Sequence, residues 1–200
     1  MATRPAIYCG VPGFRGGIGR RGAESGILVR KAGGSNMKIL LLVRHAKSSW
    51  NDPSLADRER PLNARGKRDA PWIGEFLKRH GLVPDLVLSS PAVRACKTAR
   101  KLATAAGLDQ RRIELRQEIY DGGTEELRQL AAGLGPELNC VALVGHNPVL
   151  TEFVNGLIHS RIDSIPTAGI VAVRCAAEDW AWVRDRNGQL LLFARPPAAA

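Results

Sequence analysis

Three short apolar runs, each followed by polar residues, constrain the fold of this 200-residue chain more than any other feature. The runs are Lys38–Arg44, Asp85–Ser89 and Cys140–Val144, far below the roughly 20 residues that a membrane helix needs. Short, largely apolar runs are typical of strands buried inside a sheet. Because a helical pattern follows the runs, the sequence predicts a three-layer α/β/α sandwich with a mostly parallel central sheet.

Capping residues set the limits of the predicted helices. Asn63 is a suitable N-cap for a helix that runs to about Arg79. Ser90 is predicted to cap a second helix, which has Pro91 in its first position and ends at Gly107. The other predicted elements are a polar strand, two helices and two closing strands: Arg112–Gln117, Thr124–Leu134, Pro148–Leu157, Ile170–Arg174 and Leu190–Phe193.

Residues 1–36 differ in composition from the remainder of the chain. They hold nine glycines and six basic residues against a single acid, Glu24. No helical or strand period persists, so this segment cannot bury enough apolar surface to offset its ordering entropy. We predict a disordered, basic, glycine-rich extension over 1–36, with Met37 as an alternative natural start, and one domain over 37–200.

The net charge of +10 and the cysteines bear on partners and compartment. Basic proteins bind nucleic acids, anionic membranes or phosphorylated substrates. Aromatic residues make up only 5% of the chain and do not alternate with basic ones, so we expect no nucleic acid and no membrane partner. Four widely spaced cysteines without a Cys-x-x-Cys pair favour reduced thiols in a cytoplasmic protein, which we expect to be a monomer.

Residues suited to phosphate chemistry stand where the three apolar runs end. Arg44 and His45 close the first run, Ser89–Ser90 leads from the second into a helix that carries Arg94, and His146 follows the third. Ligands of open α/β sheets bind beyond the carboxyl ends of strands, so neighbouring strands would bring these residues together. Arginine forks match phosphoryl oxygens, and histidine can carry a phosphoryl group covalently. The pattern therefore predicts phosphoryl transfer.

Four blocks of sequence resemble the histidine phosphatase superfamily, also called the phosphoglycerate mutase-like family. The blocks are Leu41–Asn51 with an Arg-His pair, Leu62–Gly66, Ser89–Ala99 with an arginine, and Leu143–Pro148 with a second histidine. The resemblance extends over about residues 38–195. It implies an α/β phosphatase that needs no metal and no other cofactor.

The resemblance also implies which residues surround the phosphate. They are the nucleophile His45, the catalytic and phosphate-binding groups Arg44, Arg94 and a protonated His146, and the further phosphate contacts Ser48 and Asn51. In the mechanism that it implies, one nitrogen of His45 is held by a backbone carbonyl or another polar partner while the other nitrogen attacks phosphorus.

Departures from the common family pattern favour one subgroup. Ala46 stands where many members have glycine, and Arg-His-Ala is typical of SixA-type phosphohistidine phosphatases. The stretches Lys47–Asp57, Arg60–Leu62 and Pro166–Ala168 resemble the same subgroup.

The glutamate general acid of the mutases has no clear counterpart in this sequence. Glu118 and Asp121 are the nearest candidates, although a strand end and turn followed by an acidic helix start is the favoured explanation of them. An alkoxide leaving group needs a positioned acid, whereas imidazole leaving from phosphohistidine is far less basic. A site without an acid therefore favours P–N bonds.

The sequence thus predicts a phosphohistidine phosphatase that acts through a phospho-His45 intermediate on a histidine-phosphorylated protein, such as a two-component phosphotransfer domain in signal transduction. Two alternatives stay open. A small-molecule or general phosphomonoesterase of the same superfamily would be favoured if Glu118 or Asp121 faced the pocket. A non-catalytic phosphate-binding adaptor would keep the fold without the chemistry.

Overall fold

A computed structural model describes residues 37–198, so the predicted extension over 1–36 lies outside the described residues. One six-stranded sheet forms the centre of this part of the chain. Its strands are β1 (Met37–Arg44), β2 (Leu86–Ser89), β3 (Ile113–Leu115), β4 (Cys140–Gly145), β5 (Ile170–Ala176) and β6 (Gln189–Ala194). Their order across the sheet is β3-β2-β4-β1-β5-β6.

The sheet is mixed, with its antiparallel pairs at one side. β3, β2, β4 and β1 pair in parallel, whereas β5 runs antiparallel to β1 and β6 antiparallel to β5. Antiparallel strands at the edge of a mainly parallel sheet are common in large α/β sheets. The prediction of a mostly parallel central sheet is confirmed.

Helices cover both faces of the sheet. They are α1 (Ala64–Arg79), α2 (Val93–Ala106), α3 (Glu118–Asp121), α4 (Thr124–Ala132) and α5 (Val149–Leu157), with short 3-10 turns at Asp57–Glu59, Gln110–Arg112 and Trp180–Arg184. Alternate residues of β1 point to opposite faces. Leu41 and Val43 belong to the core under α1 and α2, and Leu40 and Leu42 to the core under α4 and α5. The structure therefore has the predicted three layers.

Several predicted boundaries move by a few residues. The Ser90 hydroxyl accepts the N–H of Ala92 at 3.2 Å and forms a turn, so the second helix begins at Val93 instead of Pro91. The predicted polar strand over 112–117 shortens to β3, because a 3-10 turn capped by the Asp109 carboxylate precedes it and Gln117 already begins α3 as its N-cap. The sequence did not predict the turn Trp180–Arg184.

Strand register brings the ends of three strands together. Arg44 of β1 lies opposite Gly145 of β4, and Ser89 of β2 lies opposite Val144. The carboxyl ends of β2, β4 and β1 therefore stand side by side at one edge of the sheet. None of the helices within residues 37–198 is long and apolar enough to cross a membrane.

Candidate active site

His45 follows β1 directly and is nearly buried, with 8% of its surface exposed. Its Nδ1 lies 2.8 Å from the carbonyl oxygen of Ala46. Because a carbonyl oxygen can only accept, Nδ1 carries the proton and Nε2 holds a lone pair. Nε–H of Arg94 donates to that Nε2 across 3.3 Å. His45 is thus oriented with its unprotonated nitrogen toward a guanidinium group.

Arg94 lies in the first turn of α2 and contacts three parts of the site. Besides His45, its Nη2 lies 3.4 Å from Nδ1 of His146. The same Nη2 donates to Oδ2 of Asp57 at 2.7 Å, and Nη1 donates to the Asp57 carbonyl oxygen. These contacts hold the guanidinium plane against both histidines.

His146 comes immediately after β4, and its ring lies 4.9 Å from the His45 ring, centroid to centroid. Its Nε2 lies 2.8 Å from the Ser90 hydroxyl. Since Arg94 can only donate to Nδ1, the proton of His146 resides on Nε2 and is donated to Ser90. The Tyr120 ring packs edge-on against the imidazole at 5.7 Å.

Arg44, the last residue of β1, approaches the same edge of the sheet. Its Nη1 donates to the carbonyl oxygen of Ile165 at 2.8 Å, while its Nε is buried without a hydrogen-bond partner. The carbonyl oxygen of Arg44 accepts the N–H of Ala168 at 3.1 Å, so the loop before β5 braces the end of β1. A buried donor without a partner is uncommon in proteins and is available to a phosphoryl oxygen.

Both histidines are neutral in this arrangement. Burial, together with the charges of Arg94 and Arg44, lowers the pKa of His45 to about 4, although the bond to Ala46 opposes the shift. Burial and the neighbouring His45 and Arg94 lower the pKa of His146 to about 3. The sequence predicts a protonated His146 against a bound phosphoryl group, and this stays a prediction. Without that group, burial beside three other basic groups disfavours a further positive charge.

Ser48 and Asn51, the two further predicted phosphate contacts, do not bond to this cluster. Ser48 is buried, and its hydroxyl accepts from Nη2 of Arg60 at 3.0 Å. Asn51 is exposed, and its backbone N–H donates to the Ser49 hydroxyl. A role for either side chain in phosphate binding stays a prediction.

Glu118 and Asp121, the candidate general acids, are both exposed on α3. Asp121 accepts a hydrogen bond from Gln117 at 2.8 Å. Within residues 37–198, neither carboxylate makes a hydrogen bond or ion pair with His45, Arg94 or His146. The short helix instead turns Tyr120 toward the site, so the structure does not support an acid at either position.

Asp57, Arg60 and Ser90 belong to the site but were not predicted from the sequence as site residues. Asp57 pairs with Arg94 at 2.7 Å and with Arg60 at 3.0 Å. Ser90 was interpreted only as a helix cap, yet it also contacts His146. The Arg60-Pro-Leu stretch was the available signal, because its resemblance to the SixA subgroup marked the loop that carries Asp57.

The cluster combines an unprotonated histidine nitrogen, two arginines and a second neutral histidine. Such a set can accept a phosphoryl group on nitrogen and balance the charge on its oxygens. No group of three or more histidine, cysteine or acidic side chains within the described residues is arranged to hold a metal ion.

Comparison with known proteins identifies the family. The model of the histidine phosphatase superfamily (branch 1) matches residues 40–133. An uncharacterised chloroplast protein of Arabidopsis thaliana is 30% identical over 149 residues, which cover 70% of this chain and 68% of that protein. The chain belongs to the histidine phosphatase superfamily. It is a phosphatase, which confirms the enzyme that the sequence predicts.

Two further proteins place this histidine phosphatase more narrowly. A SixA protein from Agrobacterium tumefaciens, assigned as a phosphohistidine phosphatase, has a structure that matches with a TM-score of 0.65 and 28% identity, over 80% of this chain and 98% of that one. An uncharacterised protein of Mycobacterium tuberculosis is 29% identical over 164 residues, 77% of this chain and 99% of its own. The predicted SixA type is confirmed.

Proposed function

We propose that this histidine phosphatase hydrolyses the P–N bond of phosphohistidine in a protein partner, through a phosphoryl intermediate on Nε2 of His45. That nitrogen holds a lone pair and faces the Arg94 guanidinium. Attack of Nε2 on phosphorus forms one P–N bond and breaks another, and the partner's ring, which carries a proton on its other nitrogen, leaves as neutral imidazole. Arg44 and Arg94 balance the charge of the phosphoryl oxygens, and water then releases phosphate from His45.

The ionisation state of Asp57, the carboxylate that contacts Arg94, is the observation that favours a P–N bond as the substrate bond. Burial raises the pKa of Asp57, but the hydrogen bonds and charges of Arg94 and Arg60 outweigh burial and hold it below its ordinary value. Asp57 is therefore ionised at neutral pH and has no proton for an alkoxide leaving group. A phosphohistidine ring that is protonated on its other nitrogen leaves as neutral imidazole, whose conjugate acid has a pKa near 6.5, and needs no further acid. This supports phosphohistidine over a phosphate ester.

The rim of the site supports a protein as the partner. Trp50 is 73% exposed, and its ring stacks on the Arg60 guanidinium at 3.1 Å. Arg60 also bonds to Asp57, which connects this aromatic ring to the site. Exposed tryptophans held in a fixed orientation are frequent anchors of protein interfaces. We propose a histidine-phosphorylated phosphotransfer domain in the cytoplasm as the partner, in line with the similarity to the SixA protein.

Phosphate release from two substrates, measured side by side, tests the proposal. The substrates are a histidine-phosphorylated phosphotransfer domain and an aryl phosphate, each with the wild type, His45→Ala and the exposed control His159→Ala. We expect release that depends on His45, survives the control change and has the higher kcat/KM for the phosphoprotein. A preference for the aryl phosphate would indicate a phosphomonoesterase, and full activity of His45→Ala would contradict the proposed nucleophile.

A further inference from the structure

We infer that Asp57 is the general base that activates water for hydrolysis of phospho-His45. This inference rests on the proposed function, because it assigns a residue to the second step of that reaction. The sequence offered only Glu118 and Asp121 as carboxylates for proton transfer, and both are exposed on α3. Asp57 instead comes from the 3-10 turn in the loop between β1 and α1.

Arg94 places the Asp57 carboxylate next to the nucleophile. Nε of its guanidinium contacts Nε2 of His45 at 3.3 Å, and Nη2 contacts Oδ2 of Asp57 at 2.7 Å. These two nitrogens belong to one planar group, which recognises phosphate by presenting adjacent donors. A phosphoryl group on His45 that binds Arg94 therefore lies close to a carboxylate oxygen.

Donors from three elements hold the Asp57 carboxylate in place. Arg94 of α2 and the Tyr120 hydroxyl of α3, at 3.3 Å, donate to Oδ2. Arg60, which follows the 3-10 turn, donates to Oδ1 at 3.0 Å. The side chain is still 54% exposed, so water reaches it. A fixed carboxylate that is open to solvent on one side is suited to orient a water molecule.

The charge of Asp57 also reaches both histidines. Burial lowers the pKa of His45 and of His146, and the negative charge of Asp57 opposes both shifts. His146 itself is poorly placed as a base, because its Nδ1 faces the donor Nη2 of Arg94 and its Nε2 is bonded to Ser90. Asp57 is thus the ionised acceptor that the described residues place at this cluster.

The proposed step balances as follows. The oxygen of water forms a bond to phosphorus as the bond from phosphorus to Nε2 of His45 breaks. The proton of that water passes to the Asp57 carboxylate, and His45 recovers its lone pair on Nε2 with the proton on Nδ1 unchanged. Asp57 then loses the proton to the departing phosphate or to solvent. No metal, oxidant or other reactant takes part.

Asp57→Asn separates this role from mere support of Arg94. The amide keeps the shape and an oxygen acceptor for Arg94 but cannot take a proton. The first step needs no base. When Asp57→Asn is mixed in excess with the phosphorylated partner, the partner should therefore lose its phosphoryl group at close to the wild-type rate. The second step should slow by about 10²-fold, at the lower end of general-base effects because this carboxylate is weakly basic. Phospho-His45 should then accumulate.

Rapid-quench measurement of partner dephosphorylation and of phosphoryl label on the enzyme provides the test. Asp52→Asn is the matched control, because Asp52 is an exposed carboxylate of the same loop whose hydrogen bonds within residues 37–198 come from Ser54. The control should show wild-type kinetics. Equal slowing of both steps by Asp57→Asn would overturn the inference in favour of a positioning role. Unchanged turnover would also overturn it, because the carboxylate would then have no role in the reaction.

Two further observations keep the test decisive. Thermal unfolding shows whether Asp57→Asn is folded. If it is not, Asp57→Glu, which retains the carboxylate, should hydrolyse phospho-His45 faster than Asp57→Ala. Equal rates for these two variants would overturn the inference. Failure of the proposed function itself would be visible in the wild type, as turnover without any label on His45. That result would overturn both, whereas a labelled wild type with an unlabelled, fully active Asp57→Asn overturns the base alone.

Discussion

The two ends of β1 treat positive charge in opposite ways. At the start of the strand Lys38 is fully buried, and its ammonium group donates to the carbonyl oxygens of Pro136 and Leu138 and to Oδ1 of Asn139. All three of its donors are therefore used. At the other end of the strand, Nη1 of Arg44 donates to the carbonyl oxygen of Ile165, and its Nε is buried without a hydrogen-bond partner.

This difference separates a structural site from a reactive one. A buried cation whose donors are all paired contributes to stability and has nothing left for a ligand. A half-buried cation with one buried, unused donor, beside two neutral histidines, is arranged for an anion that has yet to bind. Substitutions at the Lys38 end should therefore change folding, and substitutions at the Arg44 end should change chemistry.

The largest effect short of removing the nucleophile is expected from Arg94→Ala. The change removes the donors that face His45, so kcat/KM should fall by about 10²–10³-fold, the scale of losing one preorganised donor. Steady-state phosphate release measures it. Arg100→Ala, an exposed arginine of the same helix, is the control. Near-normal activity of Arg94→Ala would contradict a phosphate site at this end of the sheet.

Acidic pH should lower the free energy of unfolding, because the buried histidines at the Arg44 end of β1 bind protons more readily when the chain is unfolded. His45 has a pKa of about 4 when folded and near 6.5 when unfolded, so between these values only the unfolded chain binds the proton. This contribution to stability is fully present above pH 6.5 and is lost as the pH falls to 4. It amounts to about 3 kcal/mol.

Urea unfolding at a series of pH values measures that loss, and His45→Gln should reduce it. His146 adds to the wild-type loss in the same direction, because its pKa is lowered too. A free energy of unfolding that stays constant from pH 7 to pH 4 would show that the buried histidines are not neutral.

Lys38→Met should destabilise the folded protein without changing the reaction. The change removes the three hydrogen bonds that the buried ammonium group donates, which costs about 2 kcal/mol or more of unfolding free energy. Denaturant unfolding gives that quantity, and Lys78→Met, at an exposed lysine of α1, is the control. Folded Lys38→Met should keep the wild-type kcat/KM. A specific loss of kcat in fully folded protein would mean that the two ends are coupled.

The smallest effect concerns the rim. Trp50→Ala removes the exposed ring that stacks on Arg60, so kcat/KM for a phosphohistidine protein should fall by about tenfold, the size of a moderate interface contact. The fall for an aryl phosphate should be smaller, because that substrate is too small to cover the rim. Equal losses for the two substrates would show that Trp50 acts only through Arg60.

The strands and helices could be predicted from local sequence because their signals are local. Apolar runs such as 38–44 and 140–144 became buried strands, and Asn63 caps α1 as expected, with its side chain accepting the N–H of Gly66. Boundaries failed where a side chain forms its own turn, as Ser90 does before α2. The sheet order could not be predicted locally, because each pairing joins distant segments.

The candidate site divides in the same way. Residues attached to strand ends, such as His45 and His146, could be proposed from the pattern of runs. Asp57 could not, because it lies in the loop between β1 and α1 and not at a strand end, so no pattern of runs places it beside Arg94 and Tyr120. The neutral state of His146 could not be predicted from the sequence either, since burial and neighbouring charges, which only the structure shows, lower its pKa.

The most direct test of the account is to find the phosphoryl group on the enzyme. Wild-type protein would be mixed with a histidine-phosphorylated phosphotransfer domain, quenched in alkali during turnover, and mapped by peptide mass spectrometry. The account predicts a phosphoryl group on His45, more of it in Asp57→Asn, and none in His45→Ala. Turnover with no phosphoryl group on the enzyme, or with the group on His146, would contradict it.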